Sequence, residues 1–132
     1  MPQEDRLKKE IDRIGKVLGK LLADMLALKG ANAITNASGV LRQVLREELQ
    51  QDPDALMSLP ADTVIKMLRD KRWGDAEIEA LAGIWEVVPD NDDARYKHMA
   101  LALYNALAKE SRTFSFTREA KIQRLTADLG AS

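Results

Sequence analysis

The most constraining feature of the sequence is a heptad pattern that runs through the first 30 residues. Apolar side chains recur at alternating steps of four and three, a spacing that places them along one side of an α-helix. This N-terminal seam consists of Leu7, Ile11, Ile14, Leu18, Leu21, Met25 and Leu28. Val17, Leu22 and Leu26 widen it beyond the two positions per heptad of a simple coiled coil, so we expect the helix to meet more than one neighbour. The pattern predicts a helix over residues 4–29 that stops at Gly30.

The rest of the chain also has the composition and spacing of helices. Leucine and alanine each occur 18 times and valine six times, and this balance favours helix over strand. Further helices are predicted at about residues 36–50, 61–71, 76–88, 94–110 and 117–129, with a short turn after Pro53. The predicted N-terminal caps are Asn36 or Ser38, Asp52 and Thr117.

We therefore expect an all-α fold, a compact helical bundle of about six helices. A chain of 132 residues can bury roughly two thirds of the surface of its unfolded form. No linker of low complexity divides the sequence. Residues 1–132 are predicted to form a single domain, in which the amphipathic segment 1–30 is the most separable part and a possible oligomerisation or docking element.

The composition argues against catalysis. The chain has no cysteine and one histidine, which excludes thiol chemistry, iron–sulfur clusters and zinc ribbons. His98 has Asp93 and Asp92 five and six positions before it, and neither is a same-face neighbour on a helix. A structural role for His98 is therefore favoured over a catalytic one, and we expect a protein that is not an enzyme.

No motif predicts a cofactor or a metal. The acidic segment 90–93 begins like a calcium-binding loop, but Ala94, Arg95 and Leu101 stand where that loop needs a ligand, a glycine and a bidentate carboxylate. Capping and solvation explain the segment better. The sequence has neither an apolar signal region nor an uncharged apolar run of membrane-spanning length, so the expected location is the cytoplasm.

Two glycines lower the intrinsic helix propensity of the N-terminal segment. Gly15 and Gly19 each lower helix stability by roughly 1 kcal/mol relative to alanine, so we expect a closely packed neighbour to compensate. That neighbour is a helix of the same chain or of a second copy. A lipid surface is a third alternative, because five basic residues give this amphipathic helix a basic character. They are Lys8, Lys9, Arg13, Lys16 and Lys20.

Charge is divided between two consecutive stretches, although the net charge is only -1. Residues 75–94 hold seven acidic residues and no lysine or arginine, whereas residues 95–124 hold seven basic residues against two acidic ones. Mutual attraction between helices and a steered partner surface both explain this pattern. The basic face that we single out consists of Arg112, Arg118, Lys121 and Arg124. It lies beside Phe114 and Phe116, which is also typical of a nucleic-acid surface, although we expect the two phenylalanines to plug the end of a helix pair.

The last two helices resemble a tetratricopeptide-type helix pair. The residues that carry the resemblance are Tyr104, Leu107, Ala108, Ala120 and Ala127. The chain also resembles small uncharacterised bacterial helical proteins that combine such a pair with an N-terminal Ile-x-x-Ile-x-x-x-Leu-x-x-Leu-Leu helix, here starting at Ile11. These resemblances imply interaction rather than catalysis and transfer no site residues.

The sequence thus favours a non-enzymatic helical module that acts by protein–protein contact, as a monomer or as a homodimer through the N-terminal helix. Its predicted working surfaces are the N-terminal seam and the C-terminal helix pair. The alternative hypothesis is a nucleic-acid-binding or regulatory module that uses the basic face. An enzyme is the third.

Overall fold

The computed structural model describes the backbone of residues 2–30, 34–88, 95–110 and 115–130. Side chains are described from residue 8 onward within these ranges, and in the second range from residue 37. The described backbone forms seven helices and no strand, which confirms the expected all-α class. In chain order they are α1 (Pro2–Gly30), α2 (Ile34–Glu47), α3 (Pro53–Ser58), α4 (Ala61–Asp70), α5 (Asp75–Val87), α6 (Arg95–Glu110) and α7 (Phe116–Gly130).

Helix α5 lies at the centre of the bundle. It packs against α1 on one side and α6 on the other, while α2 covers α1, and both α4 and α7 cover α6. The sequence of α5 explains this position, because a helix that is apolar on most sides is stable only when neighbours surround it. Its buried residues are Ile78, Leu81, Ala82, Ile84 and Trp85.

The short α3 forms as its turn chemistry predicts. Asp52 caps it, with Oδ1 accepting a hydrogen bond from the Asp54 amide at 3.0 Å, and Pro53 occupies the first turn. Leu56 is buried, while Met57 and Leu59 pack partly against the core. The turn expected after Pro53 is therefore a six-residue helix held by apolar contacts.

Two other predicted caps are wrong. Helix α2 already begins at Ile34, so Asn36 and Ser38 lie inside it. The Ser38 hydroxyl instead shares a hydrogen bond of 2.9 Å with the Tyr96 hydroxyl on α6. Helix α7 begins one residue before Thr117, and Ser115 Oγ accepts from the Arg118 amide at 3.1 Å. At α7 a second hydroxyl two residues earlier was available, and only the helix start decides which one caps.

Candidate interaction surfaces

The N-terminal seam lies inside the bundle. Ile14, Leu18, Leu21 and Met25 are buried, and α1 packs against α5 and α2 of the same chain. Ile11 and Leu28 are half-buried at the edge of this contact, while the side chain of Leu7 lies outside the described residues. In this fold the centre of the seam is core, and a partner can reach it only if α1 leaves the bundle.

One flank of α1 is covered by α2. Arg13 Nη1 donates a 2.7 Å hydrogen bond to the Glu48 carbonyl at the end of α2. The Arg13 guanidinium also binds Glu10 at 2.7 Å, and this hydrogen bond lowers the pKa of the Glu10 carboxyl. A cavity of about 40 Å³ between the helices is lined by residues that include Val17 and Val44.

The opposite flank of α1 carries a second line of residues, which we call the glycine–leucine stripe: Gly15, Gly19, Leu22 and Leu26. At 3.6 residues per turn these four positions fall within an arc of about 60°, centred about 100° from the buried side. Leu26 is 49% exposed, which is high for a large apolar side chain, and Leu22 is half-buried. The stripe points away from α2 and is adjacent to the core.

No close neighbour covers the two glycines within the described part of the chain. A methyl group added at Gly15 or at Gly19 meets no described atom within 4 Å. The expected compensation by a helix of the same chain is therefore not found among these residues. Leu22 and Leu26 have a spacing that predicts a widening of the seam. The second four-and-three spacing at residues 15, 19, 22 and 26 is the signal that separates them from it.

Three residues of the basic face, Arg118, Lys121 and Arg124, contact residues of α5 and α6. Arg118 is buried, and its Nε donates to Glu79 Oε1 on α5 at 2.8 Å. Arg124 forms an ion pair with Glu86, also on α5. Lys121 Nζ lies 5.6 Å from the centroid of the Tyr104 ring, which is within cation–π range. Arg112 lies outside the described residues.

Residues of the acidic stretch form ion pairs with neighbouring helices. Besides Glu79 and Glu86, Asp75 pairs with Arg69 of α4 at 2.5 Å. Glu110 at the end of α6 pairs with the same guanidinium at 2.5 Å. The hydrogen bond that Arg69 donates to Asp75 and the charge of Glu110 raise the pKa of Arg69. Between the acidic and basic stretches, the described ion pairs are Arg118 with Glu79 and Arg124 with Glu86, which agrees with attraction between helices for these four residues.

Tyr104 marks where α5, α6 and α7 meet. Its side chain is fully buried, and its hydroxyl donates to Glu86 Oε2 at 3.4 Å. Burial raises the pKa of the Tyr104 phenol well above 10, and the charge of Glu79 adds to the shift. The phenol therefore stays neutral and acts as a donor, while its ring faces Lys121.

Phe116 does not plug the end of the helix pair. Its side chain is 83% exposed at the first position of α7, so that prediction is wrong for this residue, while Phe114 lies outside the described part.

Within the segment that resembles a tetratricopeptide pair, Tyr104 and Leu107 are buried, whereas Ala108, Ala120 and Ala127 are exposed. The resemblance itself stays a prediction.

Other polar features lie on α6 and between α2 and α3. His98 is exposed on α6. A depression of about 500 Å³ at the junction of α2 and α3 is lined by Arg46, Gln50, Gln51, Asp52 and Asp54. The described residues contain no group of three or more acidic or histidine side chains placed to hold a metal ion. Segment 90–93 lies outside them. No described helix has the length and apolar character needed to cross a membrane.

Comparison with known proteins gives no relative from which a role could be inferred. No protein-family model, no curated protein and no solved structure matches the chain.

Proposed function

We propose that this chain is a non-enzymatic helical module that acts by protein–protein contact, and that the outward flank of α1 is its docking surface. The observation that carries the proposal is the glycine–leucine stripe. Two glycines in a long helix are costly, and a methyl group added at either one meets no described atom within 4 Å. A partner that packs there would recover this cost.

The two glycines favour docking because they let another helix approach α1 closely. A helix surface without side chains at two positions one turn apart lets the backbone of another helix come near and gain dispersion contacts along both. Leu26 adds apolar area beside this groove. The N-terminal helix thus keeps the docking role expected from the sequence. The proposed contact moves from the buried seam to the neighbouring flank.

The alternative of a nucleic-acid module has less support. Three of the four residues of the basic face, Arg118, Lys121 and Arg124, already contact Glu79, Tyr104 and Glu86. Phosphate binding to Arg118 would have to replace its contact with Glu79, because the Arg118 side chain is only 8% exposed. A gel-shift at low salt with single-stranded and double-stranded probes separates the two functions, because phosphate-driven affinity is greatest there. The interaction module predicts no shift.

Photo-cross-linking in the cells that produce the protein tests the proposal directly. A photoreactive residue replaces Ala23, which is exposed on the outward flank of α1, or Gly39, which is exposed on α2. We expect a discrete product of higher mass from position 23 and none from position 39. Products of equal yield at both positions, or none at either, would exclude the flank as a docking surface.

A further inference from the structure

We propose that the surface beneath α7 is a second docking surface, which a basic amphipathic helix of a partner protein occupies in place of α7. We call this surface the α7 site and define it by Glu79 and Glu86 on α5 and Tyr104 on α6. Helix α7 covers the site in the structure and acts as an autoinhibitory element. The α7 site shares no residue with the outward flank of α1.

Helix α7 has few buried apolar side chains. Within its 15 residues, all of which are described, Arg118 and Leu125 are buried, and Ile122 packs partly against the core. Helix α5 buries five of its 13 residues, and α6 buries five of its 16. Because the hydrophobic contribution to stability grows with the apolar area buried, local opening of α7 costs less free energy than opening of α5 or α6.

Charge supplies a second part of the attachment. Arg118 and Arg124 form ion pairs with Glu79 and Glu86. Most of both glutamate side chains is covered, with 28% of Glu79 and 12% of Glu86 exposed. A carboxylate that is partly removed from water is costly without a cation beside it. The two glutamates therefore need cationic partners, but their chemistry does not require that the cations belong to the same chain.

Opening of α7 would expose a surface with a defined chemistry. Glu79 and Glu86 would lose the arginines that pair with them, and the Tyr104 ring would lose the ammonium group of Lys121. The place of the buried Leu125 would be empty. A helix suits this surface when it carries two arginines six positions apart and a leucine next to the second, as α7 does. Recognition of a helix in a groove uses apolar anchors with flanking charges of this kind.

The charge of the α7 site selects the class of partner. Two carboxylates attract a basic segment and repel phosphate groups, so a nucleic acid or an anionic lipid surface is an unfavourable occupant. The α7 helix of a second copy has the right chemistry, but it also has a site of its own to fill. A basic helix that belongs to another protein has no such competing site and is therefore the expected occupant.

A labelled peptide of residues 115–130 serves as the probe for such a helix, and its binding to the 132-residue chain is measured by fluorescence anisotropy at low salt. Native protein should bind it weakly, because the apparent affinity is reduced by the small fraction of molecules in which α7 is open. Arg118→Met combined with Arg124→Met loosens α7 and should strengthen peptide binding by about tenfold or more. Adding Glu79→Gln and Glu86→Gln should remove this gain, because the α7 site then lacks its charges.

Three controls accompany this measurement. Arg42→Met breaks an ion pair of the same 2.8 Å length on another helix and should leave peptide binding unchanged. A peptide with Arg118→Gln and Arg124→Gln should bind about tenfold more weakly. Thermal melts check that each variant is folded. Arg124→Gln alone, whose native side chain is 56% exposed, is the milder variant and should give a smaller gain in the same direction.

Hydrogen exchange of the native chain tests the opening of α7 without any substitution. Amides of α7 should exchange faster than those of α5, because local opening exposes them without unfolding the bundle. Raising sodium chloride from about 20 mM to about 500 mM shortens the screening length from roughly 20 Å to roughly 4 Å and weakens the ion pairs. Exchange in α7 should then accelerate by about threefold or more, while exchange in α5 stays unchanged.

Three results would overturn the assignment of the α7 site. They are a peptide affinity that the Arg118 and Arg124 substitutions leave unchanged, a gain that survives the Glu79 and Glu86 substitutions, and α7 amides as protected as those of α5. If the loosened variant instead doubles its mass in solution without binding the peptide, α7 of a second copy is the occupant and the partner helix is ruled out. None of these measurements involves α1, so their failure leaves the proposed function untouched.

Discussion

The ion pair between Arg118 and Glu79 is the best place to test how α7 is attached to the bundle. Removing one partner of a fully buried pair costs about 3–5 kcal/mol, whereas exposed pairs contribute about 0.2–1 kcal/mol. The side chain of Arg118 is 8% exposed and that of Glu79 is 28% exposed, so water still reaches the carboxylate. We therefore expect an interaction energy of about 1–2 kcal/mol, between the two limits.

A double-mutant cycle with Arg118→Met and Glu79→Gln measures this energy. Methionine keeps much of the apolar stem of arginine, and glutamine keeps the shape of glutamate, so each change removes mainly charge. The free energy of unfolding of the four proteins is obtained from urea titrations. The matched control is the pair Arg42 and Asp54, whose atoms are as close, at 2.8 Å, but whose side chains are 37% and 67% exposed.

The control cycle should give about 0.5 kcal/mol or less. A coupling for Arg118 and Glu79 that equals the control value would refute the reasoning, because it would mean that burial does not strengthen this contact. A double variant as stable as the native protein would be compatible with the expected coupling energy, since the uncharged pair avoids the cost of desolvating two charges.

Three further outcomes are expected. Leu18→Asp places a charge where the native side chain is 1% exposed and should abolish cooperative thermal unfolding by circular dichroism; a normal melt would contradict the packing of α1 in the bundle. Gly39→Ala should raise the free energy of unfolding by about 1 kcal/mol, because the site is helical and open, and a loss of stability in urea titrations would show that the position is covered. The raised pKa of Tyr104 means that the folded state retains its phenolic proton above pH 10, so stability falls as pH rises beyond that value. Absorbance titration at alkaline pH should therefore show one tyrosine that ionises late, and Tyr104→Phe should remove that phase.

Helix positions and the cap of α3 were predictable because they depend on residues that are close together in the sequence. The spacing of apolar residues defined α1 and most of the later helices to within a few residues. The cap at Asp52 and the proline after it located α3. The caps predicted at Asn36 or Ser38 and at Thr117 were wrong, because α2 already begins at Ile34 and because Ser115, two residues before Thr117, caps α7.

The candidate surface was only partly predictable. Leu22 and Leu26 have the spacing of core residues relative to the seam, and one helix can carry two overlapping stripes. Which stripe is covered depends on where α2 and α5 lie. Likewise, the basic face of α7 has the composition of a binding surface, but its acidic partners lie 38 and 39 residues earlier in the chain.

By itself the sequence determined that this protein is helical, where its helices lie to within a few residues, and that its charges are divided into an acidic and a basic block. These properties follow from the backbone, the turn residues and the order of side chains. The tertiary structure alone decided that the N-terminal seam is core, that the basic block holds α7 against α5 and α6, and that Gly15 and Gly19 face outward. The physical reason is that a helical period sorts side chains onto the sides of a helix, whereas the side that is buried depends on contacts between residues far apart in the chain.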